Sequence, residues 1–143
     1  MRYIFIINPK AGAQDRSAEL KAAVAALPQK DQCEFYFTQS VGDATVYVKQ
    51  WCDAHPGEEV RFIACGGDGT INEVANGILG FDNAAMTCIP TGTGNDFLKN
   101  FGPDQEKFSD VENLWDGDVI PIDLIDCNGR QCVTIACNGV DAQ

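Results

Sequence analysis

The sequence predicts an α/β protein built on a parallel sheet, and three observations predict it. Short apolar, β-rich runs alternate with stretches whose apolar residues recur at helical spacing. Each of the first four runs ends in a loop rich in Gly, Thr, Asn or Asp. The opening run, "YIFII" at 3–7, is apolar throughout, as a strand buried on both faces requires.

The elements follow in order. "NPKAGAQDR" breaks the first strand, and residues 15–27 carry Leu20, Val24 and Leu27 at helical spacing until Pro28 closes them. "CEFYFT" (33–38) is the second strand. Beyond "QSVGD", Ala44, Tyr47, Val48, Trp51 and Cys52 share a helical face that "HPG" ends. "VRFIAC" (60–65) is the third strand. Ile71, Val74, Ala75, Ile78 and Leu79 then form the strongest helical stripe in the chain. "MTCI" (86–89) is the fourth strand, ended by "PTGTGND", and a short helix with Phe97 and Phe101 on one face is expected next. Alternation of this kind implies right-handed crossovers with helices on both faces of the sheet.

After about residue 115 the pattern changes. "DVIPIDLID" and "QCVTIACN" read as strands joined by "CNGR", and Asn128-Gly129 is a hairpin turn signal. The expected organisation is an α/β domain over residues 1–117, followed at 118–143 by a hairpin that begins a β-rich second domain. Because the sequence stops straight after a strand, a fragment of a longer protein is expected; a small complete domain with an edge hairpin is the alternative.

Composition narrows the function. The formal net charge is −11, with no basic block, so nucleic-acid binding is disfavoured and no polybasic membrane anchor is present. Seven cysteines include no CxxC pair, and His55 is the lone histidine, which favours free thiols over disulfides or a metal site. No segment reads as a signal peptide or a bilayer span, so a cytoplasmic location is expected.

The chemistry gathers where the strands end, because ligands of open parallel sheets bind beyond the carboxyl ends of the strands. In "GGDGT", Gly66, Gly67 and Gly69 are expected to supply backbone conformations closed to other residues and close approach to a ligand. Thr70 reads as the N-cap of the next helix, with Glu73 as its capping-box partner. The helix start suits a phosphate, and Asp68 beside it suits a bridging Mg²⁺ or a held hydroxyl; a plain turn former is the alternative. In "TGTGND", Gly92 and Gly94 free the backbone and Thr91 and Thr93 offer hydroxyls, while Asp96 is either a helix cap or part of a metal–water network. Asn8 and Gly12 suit a nucleotide-binding loop. Lys10 reads as a solvated side chain or a phosphate contact, Thr38 as a ligand contact and Asp43 as a helix cap. Asp123 and Asp126 lie on opposite faces of a strand, one of them a candidate for metal binding. Neither GxxxxGK[ST] nor a GxGxxG after the first strand occurs, so P-loop and Rossmann dinucleotide sites are disfavoured.

Together "NPKAG", "TQSVGDA", "GGDGTINEVANGI", "PTGTGNDF", "PID" and "NGVDA" resemble, in order and spacing, the diacylglycerol kinase catalytic family, which includes sphingosine, ceramide and bacterial lipid kinases. "GGDG" alone is shared with NAD kinases and phosphofructokinases. The resemblance covers essentially the whole chain. It implies a parallel-sheet nucleotide-binding domain of the NAD kinase/diacylglycerol kinase type, joined to a β-rich domain, with the active site between the two.

By the same resemblance, ATP contacts come from Asn8, Pro9, Lys10, Ala11, Gly12, Thr38, Gly67, Asp68, Gly69, Thr70, Asn72, Glu73 and Thr93. Asp68 and Asp96 serve the Mg²⁺–phosphate region as the catalytic pair. Asp123 is the metal-linked aspartate. Lys99 stands where family members often carry Arg, which keeps charge without a bidentate grip.

Family members are about twice this length, so the general base, the main Mg²⁺ ligands and the lipid site are expected outside this chain, along with any transient membrane contact. The expected function is the ATP-binding part of a lipid kinase that transfers the γ-phosphoryl of Mg-ATP to a diacylglycerol-like hydroxyl, the fragment alone being inactive. A homodimer is left open. The alternatives are an NAD- or sugar-phosphate-directed kinase of the same fold group and a non-catalytic nucleotide-binding module.

Overall fold

The computed structural model describes residues 1–10, 17–90, 125–127 and 130–132. Four parallel strands form its main sheet: β1 (Arg2–Ile7), β2 (Cys33–Phe37), β3 (Val60–Gly66) and β4 (Ala84–Pro90), in the order β2-β1-β3-β4. Helices α1 (Ser17–Ala25), α2 (Asp43–Ala54) and α3 (Asp68–Ile78) connect them, with a 3-10 turn over Lys30–Gln32 before β2. A separate antiparallel pair, β5 (Ile125–Cys127) and β6 (Arg130–Cys132), is the expected hairpin, and Cys127 pairs with Arg130 across the two intervening residues.

The strand order dictates which face each helix covers. The chain moves outward from β1 to β2, then reverses and passes back over β1 to reach β3 and β4. Right-handed crossovers therefore put α1 on one face and α2 and α3 on the other. The core divides accordingly. Ile4, Ile6, Phe62, Ala64 and Cys88 pack with Ala44, Val48, Trp51 and Cys52 of α2 and with Ile71, Val74 and Ala75 of α3. Tyr3, Phe5, Ile7, Ile63, Cys65 and Ile89 pack with Leu20 and Val24 of α1. Strand alternation splits the odd and even residues of β1 between these clusters, which is why "YIFII" is apolar throughout. Each fully buried Phe, Ile or Val contributes about 1.5–3 kcal/mol.

Several boundaries shift from expectation. The first helix ends at Ala25; Leu27 is held by its N–H on the Val24 carbonyl at 3.0 Å, in a turn ahead of Pro28. The stripe on α3 stops at Ile78, because Leu79 leaves the helical region (φ −58°, ψ 130°) and Gly80 turns the chain with φ +85°. The fourth strand is longer than 86–89 because it pairs with β3 from Val60↔Ala84 to Gly66↔Pro90. The predicted helix after "PTGTGND" lies outside the described residues. Cys33, Cys52, Cys65 and Cys88 are free thiols. Among the described residues no helix is long and apolar enough to cross a membrane.

Candidate functional site

All four main strands run in parallel, so the ends at Ile7, Phe37, Gly66 and Pro90 share one rim, as the register pairs Ile7↔Phe37, Ile7↔Cys65 and Gly66↔Pro90 require. Within that rim one position is special. β1 and β3 are neighbours, but their onward connections leave for opposite faces of the sheet. In open α/β sheets such a topological switch point, beyond the strand ends, is where the ligand crevice lies. Asn8 stands on one side of it and Gly67 on the other. The Asn8 N–H donates to the Cys65 carbonyl at 3.1 Å and so extends the ladder to the crevice edge. Asn8 Oδ1 accepts the Lys10 N–H at 3.0 Å, folding "NPK" into a compact turn, with the Lys10 side chain exposed.

On the other side β3 passes into α3 almost without a loop. Gly66 is the last strand residue, Gly67 the N-cap and Asp68 the first helical residue. This corrects two sequence expectations. Thr70 is not the N-cap: it lies inside the first turn with its side chain buried, and the N-cap is Gly67, which makes no side-chain cap bond. Nor do the glycines adopt left-handed conformations. Gly67 is extended (φ −91°, ψ −167°), and the positive-φ glycines among the described residues are Gly42, Gly57 and Gly80. Gly66 is needed for closeness instead, since a Cβ there would fall 2.4 Å from Thr70 Oγ1. At Gly69 a Cβ would meet nothing within 4 Å among the described residues. The uncapped N–H groups and the positive dipole end of α3 point to the same rim.

Glu73, expected to cap its own helix, reaches across to the neighbouring loop. Its Oε1 accepts the Gly42 N–H at 2.7 Å, and its backbone carbonyl accepts the Thr45 hydroxyl at 2.7 Å. Asp43 likewise fails to cap α2, whose N-cap is Gly42 (φ +88°) with no side-chain bond. The Asp43 carboxylate accepts the Tyr36 hydroxyl at 2.9 and 2.8 Å and the Gln39 N–H at 2.9 Å, closing the loop from within. That hydrogen bond is the main reason the Tyr36 hydroxyl is pushed up to about 12, and Tyr36 stacks on Tyr47 at 3.7 Å. Thr38 turns its hydroxyl back to the Ile7 carbonyl at 3.4 Å. Tyr36, Gly42 and Thr45 had no motif signal beyond their place in or beside "TQSVGDA".

The rim therefore brings together Asn8, Pro9, Lys10, Thr38 and the segment Gly67–Glu73, which includes Asn72. Ala11, Gly12, Thr93, Asp96 and Asp123 lie outside the described residues. Among the described residues no group of three or more His, Cys, Asp or Glu side chains could hold a metal ion. Asp68 is the acidic residue in the first turn of α3. The Asp68 charge also helps, after burial, to push the Cys88 thiol up to about 12.

This open parallel sheet, with its switch between β1 and β3, is an α/β domain of the NAD kinase/diacylglycerol kinase type. The chain belongs to the diacylglycerol kinase catalytic domain family, whose model matches residues 2–127. It is 34% identical over 137 residues to a diacylglycerol kinase of Bacillus subtilis, covering 94% of this chain and 44% of that protein. A diacylglycerol kinase of Staphylococcus aureus is 32% identical over 136 residues, covering 94% and 42%. The crystal structure of a putative diacylglycerol kinase from Bacillus anthracis superposes with a TM-score of 0.68 at 30% identity, covering 91% of this chain and 44% of that one. The chain thus spans less than half the length of these relatives.

Proposed function

We propose that this chain supplies the ATP-binding half of a lipid kinase, which transfers the γ-phosphoryl of Mg-ATP to the hydroxyl of a diacylglycerol-like lipid. The observation that carries the reading is the topological switch between β1 and β3, with the Asn8–Lys10 turn on one side and the start of α3 on the other. Backbone N–H groups of Gly67–Thr70 suit the phosphate tail, and each charge interaction with the helix end contributes about 0.3–1 kcal/mol. The Thr70 side chain is buried, so its backbone is what it offers. Asn8 through Gly12, Thr38, Asn72 and Thr93 complete the nucleotide set by motif. Asp68 and Asp96 hold the phosphate region's charge, and Asp123 links it to the metal. When bound, Mg²⁺ would neutralise charge that develops on the phosphoryl oxygens.

Phosphoryl transfer relies on positioning and charge stabilisation. Residues 118–143 begin the second domain in this reading. The general base, the lipid site and transient membrane contact come from a region outside the chain, which acts as part of a soluble cytoplasmic enzyme and transfers little by itself. The experiment is phosphotransfer by the intact protein from labelled ATP to diacylglycerol, sphingosine and NAD. Transfer to diacylglycerol, abolished by Asp68→Ala without loss of fold, is the expected result. Transfer to NAD alone moves the protein to the other branch of the fold group. An intact fold that binds neither ATP nor ADP contradicts the reading.

A further inference from the structure

We propose that Glu73 is a positioning residue: its carboxylate fixes the Thr38–Gly42 loop at the crevice rim by holding the Gly42 N–H, and it serves the nucleotide through that loop rather than by touching it. The inference rests on the ATP-binding reading and sharpens the part Glu73 plays in it.

Three observations carry it. The Gly42–Glu73 bond, at 2.7 Å, spans 31 positions of sequence and lies at the short end of the N–H···O range. Its base is firm. The Thr45 hydroxyl grips the Glu73 carbonyl at 2.7 Å, and one turn on, Gly77 lets the helices meet so closely that a Cβ there would lie 2.7 Å from Val48 Cβ. The loop is also preassembled. Asp43 accepts the Gln39 N–H, and the Asp43 N–H donates to the Ser40 carbonyl at 3.2 Å, so the loop is closed on the first residue of α2. Gly42 is left-handed at φ +88°, and Val41 before it is 92% exposed, so packing of that side chain does not restrain the turn. The Asp43 bonds close the loop, and the bond to Glu73 adds the hold on the Gly42 N–H itself.

Reach therefore matters more than charge. Glu73→Gln keeps an acceptor oxygen at the same distance. Glu73→Asp keeps the charge but is one methylene too short, and Glu73→Ala removes both. Two quantities are measured on the intact protein: amide hydrogen exchange at Gly42, and ATP affinity by calorimetry. Asp and Ala at 73 are expected to speed Gly42 exchange about tenfold or more and to weaken ATP about tenfold, with Gln close to wild type in both. If Ala impairs folding, the Asp and Gln variants decide alone. Unchanged Gly42 exchange in Glu73→Asp overturns the proposal. So does the reverse ranking, with Asp tolerated and Gln as weak as Ala, since charge at the nucleotide would then be what counts. A wild-type protein that binds no ATP overturns the functional reading instead, and the loop tie is then judged on Gly42 exchange.

Discussion

Gly66 lies directly beneath Thr70: a Cβ on Gly66 would come within 2.4 Å of Thr70 Oγ1 and 2.8 Å of Thr70 Cβ. Strand and helix can follow one another this tightly only because the first of the paired glycines has no side chain. Gly66→Ala should cost about 1–3 kcal/mol, the usual penalty of overpacking, and lower the melting temperature by several degrees. Adding Thr70→Ala removes the closest contact but not the second, so thermal melts of the double variant should show partial recovery.

Gly77 and Gly69 sit on the same helix and should respond in opposite ways. An added methyl at 77 meets Val48 Cβ and Cγ1 at 2.7 Å and the Thr45 carbonyl at 3.2 Å, whereas at 69 it meets nothing within 4 Å among the described residues. Chemical denaturation should show Gly77→Ala destabilised by about 1–3 kcal/mol. Gly69→Ala should be neutral, or more stable by up to about 1 kcal/mol. Yet the same Gly69 methyl projects into the space where phosphate is proposed to approach, so ATP affinity should fall in a variant that is no less stable.

Burial raises the Cys88 thiol to about 12 and the Cys33 thiol to about 11, and it raises Cys52 as well. Thiolate is the reactive form, so none of the three should be alkylated readily near neutral pH while the fold is intact. Brief iodoacetamide labelling followed by mass spectrometry should find them unmodified in native protein and modified after unfolding. Rapid native labelling of Cys88 would place β4 wrongly in the core.

The Tyr36 hydroxyl, pushed up to about 12 from an ordinary value of 10.0, loses its proton late because the proton is shared with Asp43. A raised folded-state value means the stability it contributes is whole below about pH 10 and is lost as pH climbs toward 12. Tyrosinate absorbance of the wild type minus that of Tyr36→Phe should show one group titrating well above a free tyrosine. A difference curve centred on the ordinary value would remove the Tyr36–Asp43 bond from the account.

Much of the architecture was legible in the sequence, for physical reasons that particular residues show. "YIFII" and the Ile71–Val74–Ala75–Ile78 stripe carry unmixed periods, and burial on two faces or one leaves those periods no freedom. The four loops could be placed at one rim because parallel strands force it. What stayed hidden depends on contacts between elements. Thr70 and Glu73 match the local capping pattern, but the Gly66–Gly67 turn starts the helix three residues earlier, burying Thr70 and sending Glu73 toward Gly42. Asp43 was drawn from its own helix by Tyr36, a partner seven residues back on β2. Neither choice is written in a local window.

The central claim is that the crevice between β1 and β3 takes the phosphates of a nucleotide at the start of α3. The most direct measurement is the change in backbone amide resonances of the intact, isotope-labelled protein on titration with Mg-ATP and, separately, with adenosine. The account predicts the largest shifts at Gly67, Asp68, Gly69 and Asn8 with Mg-ATP, and little response there to adenosine. Equal responses to both ligands, or shifts that leave Gly67–Gly69 untouched, would contradict it.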